Sequence, residues 1–208
     1  MTRLLLALTC VCVCLVPAAS GLAQEVVPQS NRSVLVEIKN FALKGNARSD
    51  FKQFKRKTEY FGSIYVNRSE RLAGYYSNAN SIVLADFYAR AACHAQSKNP
   101  KYCVLYARVL PKDFEPQSFG ETLSRTANKE FLEYQRLQNN DRFGAFAVSD
   151  NGAVGYSWAE ATRKVSEDQA LKRCAKSARK ILRNTPDHLL ALVSSPGRQG
   201  CRLIHWSN

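Results

Sequence analysis

The stretch Phe143-Gly144-Ala145-Phe146-Ala147-Val148-Ser149-Asp150-Asn151-Gly152-Ala153-Val154-Gly155-Tyr156 decides how the rest of the chain is read. Two apolar, β-favouring runs flank Asp150-Asn151-Gly152, and Asn and Gly tolerate the positive φ angles of tight turns, so the stretch predicts an antiparallel hairpin. Upstream, Phe61-Gly62-Ser63-Ile64-Tyr65-Val66 matches Phe143 to Val148, and after one deleted position Ala73-Gly74-Tyr75 matches Val154-Gly155-Tyr156. Cys93 then aligns with Cys174, and Tyr102-Cys103-Val104-Leu105-Tyr106 with Gly200-Cys201-Arg202-Leu203-Ile204. Agreement in order, spacing and cysteines predicts an internal repeat whose unit is strand, turn, strand, helix, strand.

Outward from the second hairpin, Ser166 and Gln169 read as a capping box, and Leu171, Cys174, Ala175, Ala178, Ile181 and Leu182 form an apolar stripe at helical spacing. The positions left for solvent are Lys172, Arg173, Lys176, Arg179, Lys180 and Arg183. In the first copy Ser81 caps a helix through Ala89, Ala92 and Cys93, and a closing strand over 103–110 ends at Pro111. Helical lead-ins precede both copies: one over 49–60, and one that opens at Ser118-Phe119-Gly120-Glu121 and runs through Leu123, Ala127, Phe131, Tyr134 and Leu137. A strand over 33–38 comes first, and the apolar run 189–193 reads equally as strand or helix.

The expected fold is therefore α+β: two strand-strand-helix-strand units with antiparallel hairpins, packed as one pseudo-symmetric domain, because units of about 80 residues bury more surface together than apart. The divisions are a leader over 1–23, an N-terminal strand, lead-in and first repeat over 24–110, a connector over 111–118 and the second lead-in and repeat over 119–208.

The leader carries Arg3, an apolar run over 4–16 and small residues over 17–23, with cleavage either after the Gly21-Leu22-Ala23 pattern or after Ser20. It reads as a signal peptide, too short for a bilayer span, and places the mature chain outside the cell or in the periplasm with no transmembrane segment. Its removal takes Cys10, Cys12 and Cys14 and leaves Cys93, Cys103, Cys174 and Cys201. In an oxidising compartment four cysteines favour two disulfides, with three pairings open. The repeat then predicts Cys93 with Cys103 and Cys174 with Cys201, each joining a helix to the next strand of its own copy. No C-x-x-C pair exists and His94, His188 and His205 are scattered, so neither metal nor cofactor is expected.

The 208 residues include 30 Lys and Arg against 17 Asp and Glu, a formal charge of +13, and only Arg3 leaves with the leader. Basic residues concentrate between Lys44 and Lys57, interleaved with Phe51 and Phe54 and followed by Tyr60, and again between Lys172 and Arg183. Such fields attract anionic polymers, whether polysaccharide, lipid headgroups or nucleic acid, and the attraction weakens with salt. Tyr75 and Tyr156 occupy equivalent second strands. Trp158, two positions after Tyr156, shares its sheet face and makes either core or an aromatic platform for a ligand. No G-x-S-x-G elbow, phosphate-binding glycine loop or H-E-x-x-H helix is present. His205 reads as packing and His94 as a helix-end residue, so a binding or structural module is favoured over a hydrolase.

The hairpin Phe143-Gly144-Ala145-Phe146-Ala147-Val148-Ser149, then Gly155-Tyr156-Ser157, Cys174 and Cys201, resembles the secreted bacterial domain of unknown function 4189 family, here in two tandem, divergent copies. The first copy departs from the pattern, with Tyr76 where the second has Ser157 and a shorter interval between its cysteines. The resemblance implies an exported protein of the bacterial envelope with an envelope or surface partner, and it brings no catalytic residues.

Overall fold

The computed structural model describes residues 25–116, 120–139 and 141–207; the leader over 1–23 lies outside them. In chain order the elements are β1 (Ser33–Glu37), α1 (Gly45–Lys57), β2 (Gly62–Asn67), β3 (Leu72–Tyr76), α2 (Ile82–Gln96), a 3-10 turn at Pro100–Tyr102, β4 (Cys103–Pro111), α3 (Arg125–Leu137), β5 (Phe143–Val148), β6 (Val154–Glu160), α4 (Arg163–Arg183), α5 (Asp187–Val193), α6 (Pro196–Gln199) and β7 (Arg202–Ser207). They build an α+β fold with two antiparallel sheets, ordered β1-β4-β2-β3 and β6-β5-β7. In both sheets the first hairpin strand is central, flanked by the second hairpin strand and by the strand that follows the helix.

Each sheet is covered on both faces. The first buries Ile64, Val66 and Val109 against Ala47 and Phe54 of α1, and its other side receives α2. The second buries Phe146, Val148 and Ile204 against Ala127, Phe131 and Tyr134 of α3, while Ala145 and Ala147 meet Ala170, Cys174 and Ala178 of α4. Helix and strand approach closest at two glycines. A Cβ on Gly74 would lie 2.1 Å from the backbone nitrogen of Cys93, and one on Gly155 would lie 2.1 Å from that of Cys174. The disulfides Cys93–Cys103 and Cys174–Cys201 join these helix turns to β4 and to the residue before β7, as the cysteine pattern predicts.

Several local expectations hold. Gly152 turns the β5–β6 hairpin at φ +88°, and Ser81 accepts a hydrogen bond from the Leu84 amide at the start of α2. The run 189–193 is helical, within α5. Others are corrected. Helix α4 starts a turn before the expected capping box, because the Thr162 hydroxyl accepts from the Val165 amide. Ser166 is thereby left inside the helix, buried, with its Oγ 2.7 Å from the Ser157 hydroxyl of β6. Helix α1 begins at Gly45 rather than 49. Helix α3 begins at Arg125, capped by Ser124, because Glu121 is drawn into a parallel bridge with Val26; Ser118 and Phe119 lie outside the described residues.

The units meet along a buried seam. Leu189 and Val193 of α5 pack on Tyr88 and Ala92 of α2. Asn80, 2 % exposed, donates to the Ser149 carbonyl at 2.7 Å and accepts from the Ser124 amide at 3.0 Å, while its own carbonyl accepts from Thr122. Ahead of β1, Gln29 and Asn128 of α3 exchange two hydrogen bonds, which ties the N-terminal segment to the second unit. Among the described residues no helix is long and apolar enough to cross a membrane.

Candidate functional site

Helix α4 buries Ser166, Ala170, Cys174 and Ala178, and this fixes what its other side presents. Lys172, Arg173, Lys176, Arg179, Lys180 and Arg183 are all exposed. At 3.6 residues per turn they fall within about a third of the helix circumference. No ion pair among the described residues engages any of the six, and Arg173, Lys176, Lys180 and Arg183 line one shallow depression with Ser177.

Arg173 connects this stripe to the aromatic strand beside it. Its guanidinium donates to the Tyr156 carbonyl at 2.6 Å and lies 5.3 Å from the Trp158 ring centroid. Tyr156 and Trp158 are half-buried and pack on the α3 side of the sheet, their rings 5.6 Å apart. Tyr156 also stacks on Phe146, so one side of the pair is core and only the remainder is available for contact. Burial raises the Tyr156 phenol above its usual range, and the nearby Glu130 and Glu133 carboxylates add to the effect. Tyr75 takes the corresponding place in the first sheet, half-buried and edge-on to Phe54 of α1. The structure thus brings Tyr156, Trp158 and the six cations onto adjoining surfaces and leaves Tyr75 in the other unit. In the first basic cluster Phe54 and Tyr60 are fully buried and Phe51 half-buried, so those rings serve the core and are not laid out for stacking with bases.

Tyr75 instead borders a cleft of about 470 Å³ that no sequence signal announced. Five consecutive residues, Ala73 to Ser77, line it. Side chains of a strand alternate between faces, so a space touched by five in a row views the strand from its edge. Asp50 of α1 and Gln96 of α2 border it from the two sides of the strand, and Asn184, Thr185 and His188 at the α4–α5 corner form the opposite wall. Asp50 has no hydrogen bond or ion pair among the described residues, and burial holds its carboxyl above the usual carboxylate range. The cleft arises only where the two sheet units pack together, which is why reading either stretch of sequence alone misses it.

Two further polar groupings were candidates for chemistry. Ser63, fully buried on β2, donates to Asp86 of α2 at 2.5 Å, and Arg108 of β4 grips the same carboxylate through two nitrogens. The carboxylate is held by three hydrogen bonds and the serine has no access to solvent, so the group anchors α2 to the sheet. Its only sequence signal was Ser63 and Tyr65 standing where the second copy has Ala145 and Ala147. His205 sits edge-on to Phe131 and Tyr134, with the Tyr134 hydroxyl 3.2 Å from its Nδ1 and 2.8 Å from Ser207 Oγ. Burial lowers the imidazole pKa, and no ion pair among the described residues orients the ring. His94 is exposed in the last turn of α2, beside a cysteine consumed in a disulfide. Among the described residues no cluster of His, Cys, Asp and Glu is placed to hold a metal ion.

No protein-family model matches the chain, and no curated protein or solved structure matches it.

Proposed function

We propose that this is an exported, disulfide-stabilised binding module of the bacterial envelope, and that the outer face of α4 is its contact surface for an anionic polymer. The observation that carries the reading is the stripe of six exposed cations from Lys172 to Arg183, engaged by no ion pair among the described residues and joined through Arg173 to the Trp158 ring. An arginine already laid on an aromatic face keeps its charge while losing little freedom on binding, which suits repeated anionic groups along a polymer. The leader pattern supports export, and disulfides joining each helix to the strand after it suit an oxidising compartment. Like strand order, like glycine-to-cysteine contacts and like disulfides support reading the units as divergent copies of one repeat, the pattern of the domain of unknown function 4189 family.

Heparin-agarose, a sulfated polysaccharide support, provides the test. Reversing Lys172, Lys176 and Lys180 to Glu should move elution to clearly lower salt than reversing Lys52, Lys55 and Lys57 on α1, although the net charge change is the same. Equal shifts would reduce the binding to overall charge and remove α4 as the site.

A further inference from the structure

The outer edge of β3 is a different kind of surface from the α4 stripe. The equivalent edge strand of the second sheet, β6, has its Tyr156 carbonyl covered by Arg173, which precedes Cys174. The residue preceding Cys93 is Ala92, whose methyl cannot reach a carbonyl and is buried against α5. No strand pairs with the outer side of β3 among the described residues, and residues 73–77 open into the cleft. Alternate residues of an edge strand aim both N–H and C=O outward, which makes a template for another extended chain. Arginine closes one edge of this molecule and leaves the other open.

The lining states what kind of chain would fit. In a protein with 30 Lys and Arg against 17 acids, no Lys or Arg among the described residues lines the cleft. Its one carboxylate, Asp50, is half-buried and unpartnered among the described residues, and Asn184, Thr185 and Gln96 add neutral hydrogen-bonding groups. An acidic polymer would meet Asp50 as a like charge, whereas a cation placed there would relieve a desolvated carboxylate. We propose that the cleft is a peptide-binding site in which an extended segment adds as a strand to the edge of β3 and places a cationic side chain at Asp50. The mode is strand addition, with affinity from backbone hydrogen bonds and selectivity from one side-chain position. The cleft volume lies within the range of ligand sites, and the four strand residues from Ala73 to Tyr76 span about 13 Å at the usual rise per residue.

The test uses the oxidised chain labelled with nitrogen-15 and three blocked pentapeptides. One is acetyl-Val-Thr-Lys-Thr-Val-amide, the second carries Glu in place of Lys, and the third is the lysine peptide N-methylated at alternate amides. The lysine peptide should shift the amide signals of residues 73–77 and of Asn184, Thr185, Asp187 and His188. The glutamate peptide should bind at least tenfold more weakly, and N-methylation should abolish binding. Asp50→Asn should cost the lysine peptide about tenfold and leave the glutamate peptide unchanged or improved. The peptide series is read on the unaltered chain, so the result stands whether or not the variant folds. Absence of shifts at millimolar peptide, equal binding of the Lys and Glu peptides, or undiminished binding of the N-methylated one would overturn the proposal. None of these outcomes bears on retention by heparin through α4, so the two readings fail separately.

Discussion

Where the second sheet turns Ala145 and Ala147 toward α4, the first sheet turns Ser63 and Tyr65 toward α2. The alanine interface works by proximity: small side chains let a 21-residue helix lie close along the strands, and dispersion and burial do the holding. The α2 interface keeps the same closest approach, Gly74 against Cys93, but adds a directional lock in which Asp86 takes hydrogen bonds from Ser63 and Arg108. The two interfaces thus share one glycine contact and one disulfide and differ in the rest. The edges differ as well. In the first sheet β1 covers β4 and leaves β3 bare, whereas in the second Arg173 covers β6 and nothing described pairs the outer side of β7.

The largest expected effect comes from the cross-links. With sequence separations of 10 and 27 residues, loop-closure entropy assigns about 2.7 kcal/mol to Cys93–Cys103 and about 3.5 kcal/mol to Cys174–Cys201. Paired Cys→Ala variants, unfolded in denaturant, should show the second unit losing more; the reverse order would mean that its 27-residue loop is held by packing on α2 and owes little to the bond.

A smaller effect follows from the polar lock. Asp86 and Arg108 are partly open to water, at 22 % and 33 % side-chain exposure. Asp86→Ala should therefore cost about 2 kcal/mol, mostly by stranding the buried Ser63 hydroxyl and unpairing Arg108. Asp86→Ala combined with Ser63→Ala, which copies the chemistry of the second unit, should recover part of the loss. Failure to recover any would show that the two interfaces are not interchangeable at this point.

The smallest effect is one of pH. His205 pairs with Phe146 across the second sheet where Ala107 pairs with Ile64 in the first. Burial lowers the folded-state pKa of His205, so its charged form is disfavoured in the fold. The stability it contributes is present above the unfolded value of about 6.5 and is lost as pH falls through the lower folded value. Between about pH 7.5 and 5 the unfolding midpoint of the unaltered chain should drop more than that of His205→Ala, since His94 and His188 are common to both. Parallel curves would place the titration elsewhere.

What the sequence disclosed was what local chemistry determines. Gly152 in a turn, Ser81 at a cap and cysteines at matched offsets each act within a few residues or within one sheet unit, and each appears where expected. Ser166 misled because a serine followed three positions later by Gln169 fits a capping box, while the competing partner, Ser157 across the β6–α4 interface, has no local signature. The basic face of α4 was legible from periodicity alone. The cleft and Asn80 were not, because both belong to the seam, where residues from distant parts of the chain meet with no local pattern to mark them.

Neither disulfide crosses the seam, and this governs how the molecule would behave under tension. Pulled from its ends, the oxidised chain withholds the segments closed by its two disulfides, whose cysteines stand 10 and 27 positions apart, about 35 Å and about 95 Å of extended length. The contact between the units, built from hydrogen bonds at Asn80 and the α2–α5 packing, is free to part first. Reduction would add about 130 Å of extensible chain without severing any covalent link between the halves, so the redox state of the compartment would set the reach of the stretched molecule.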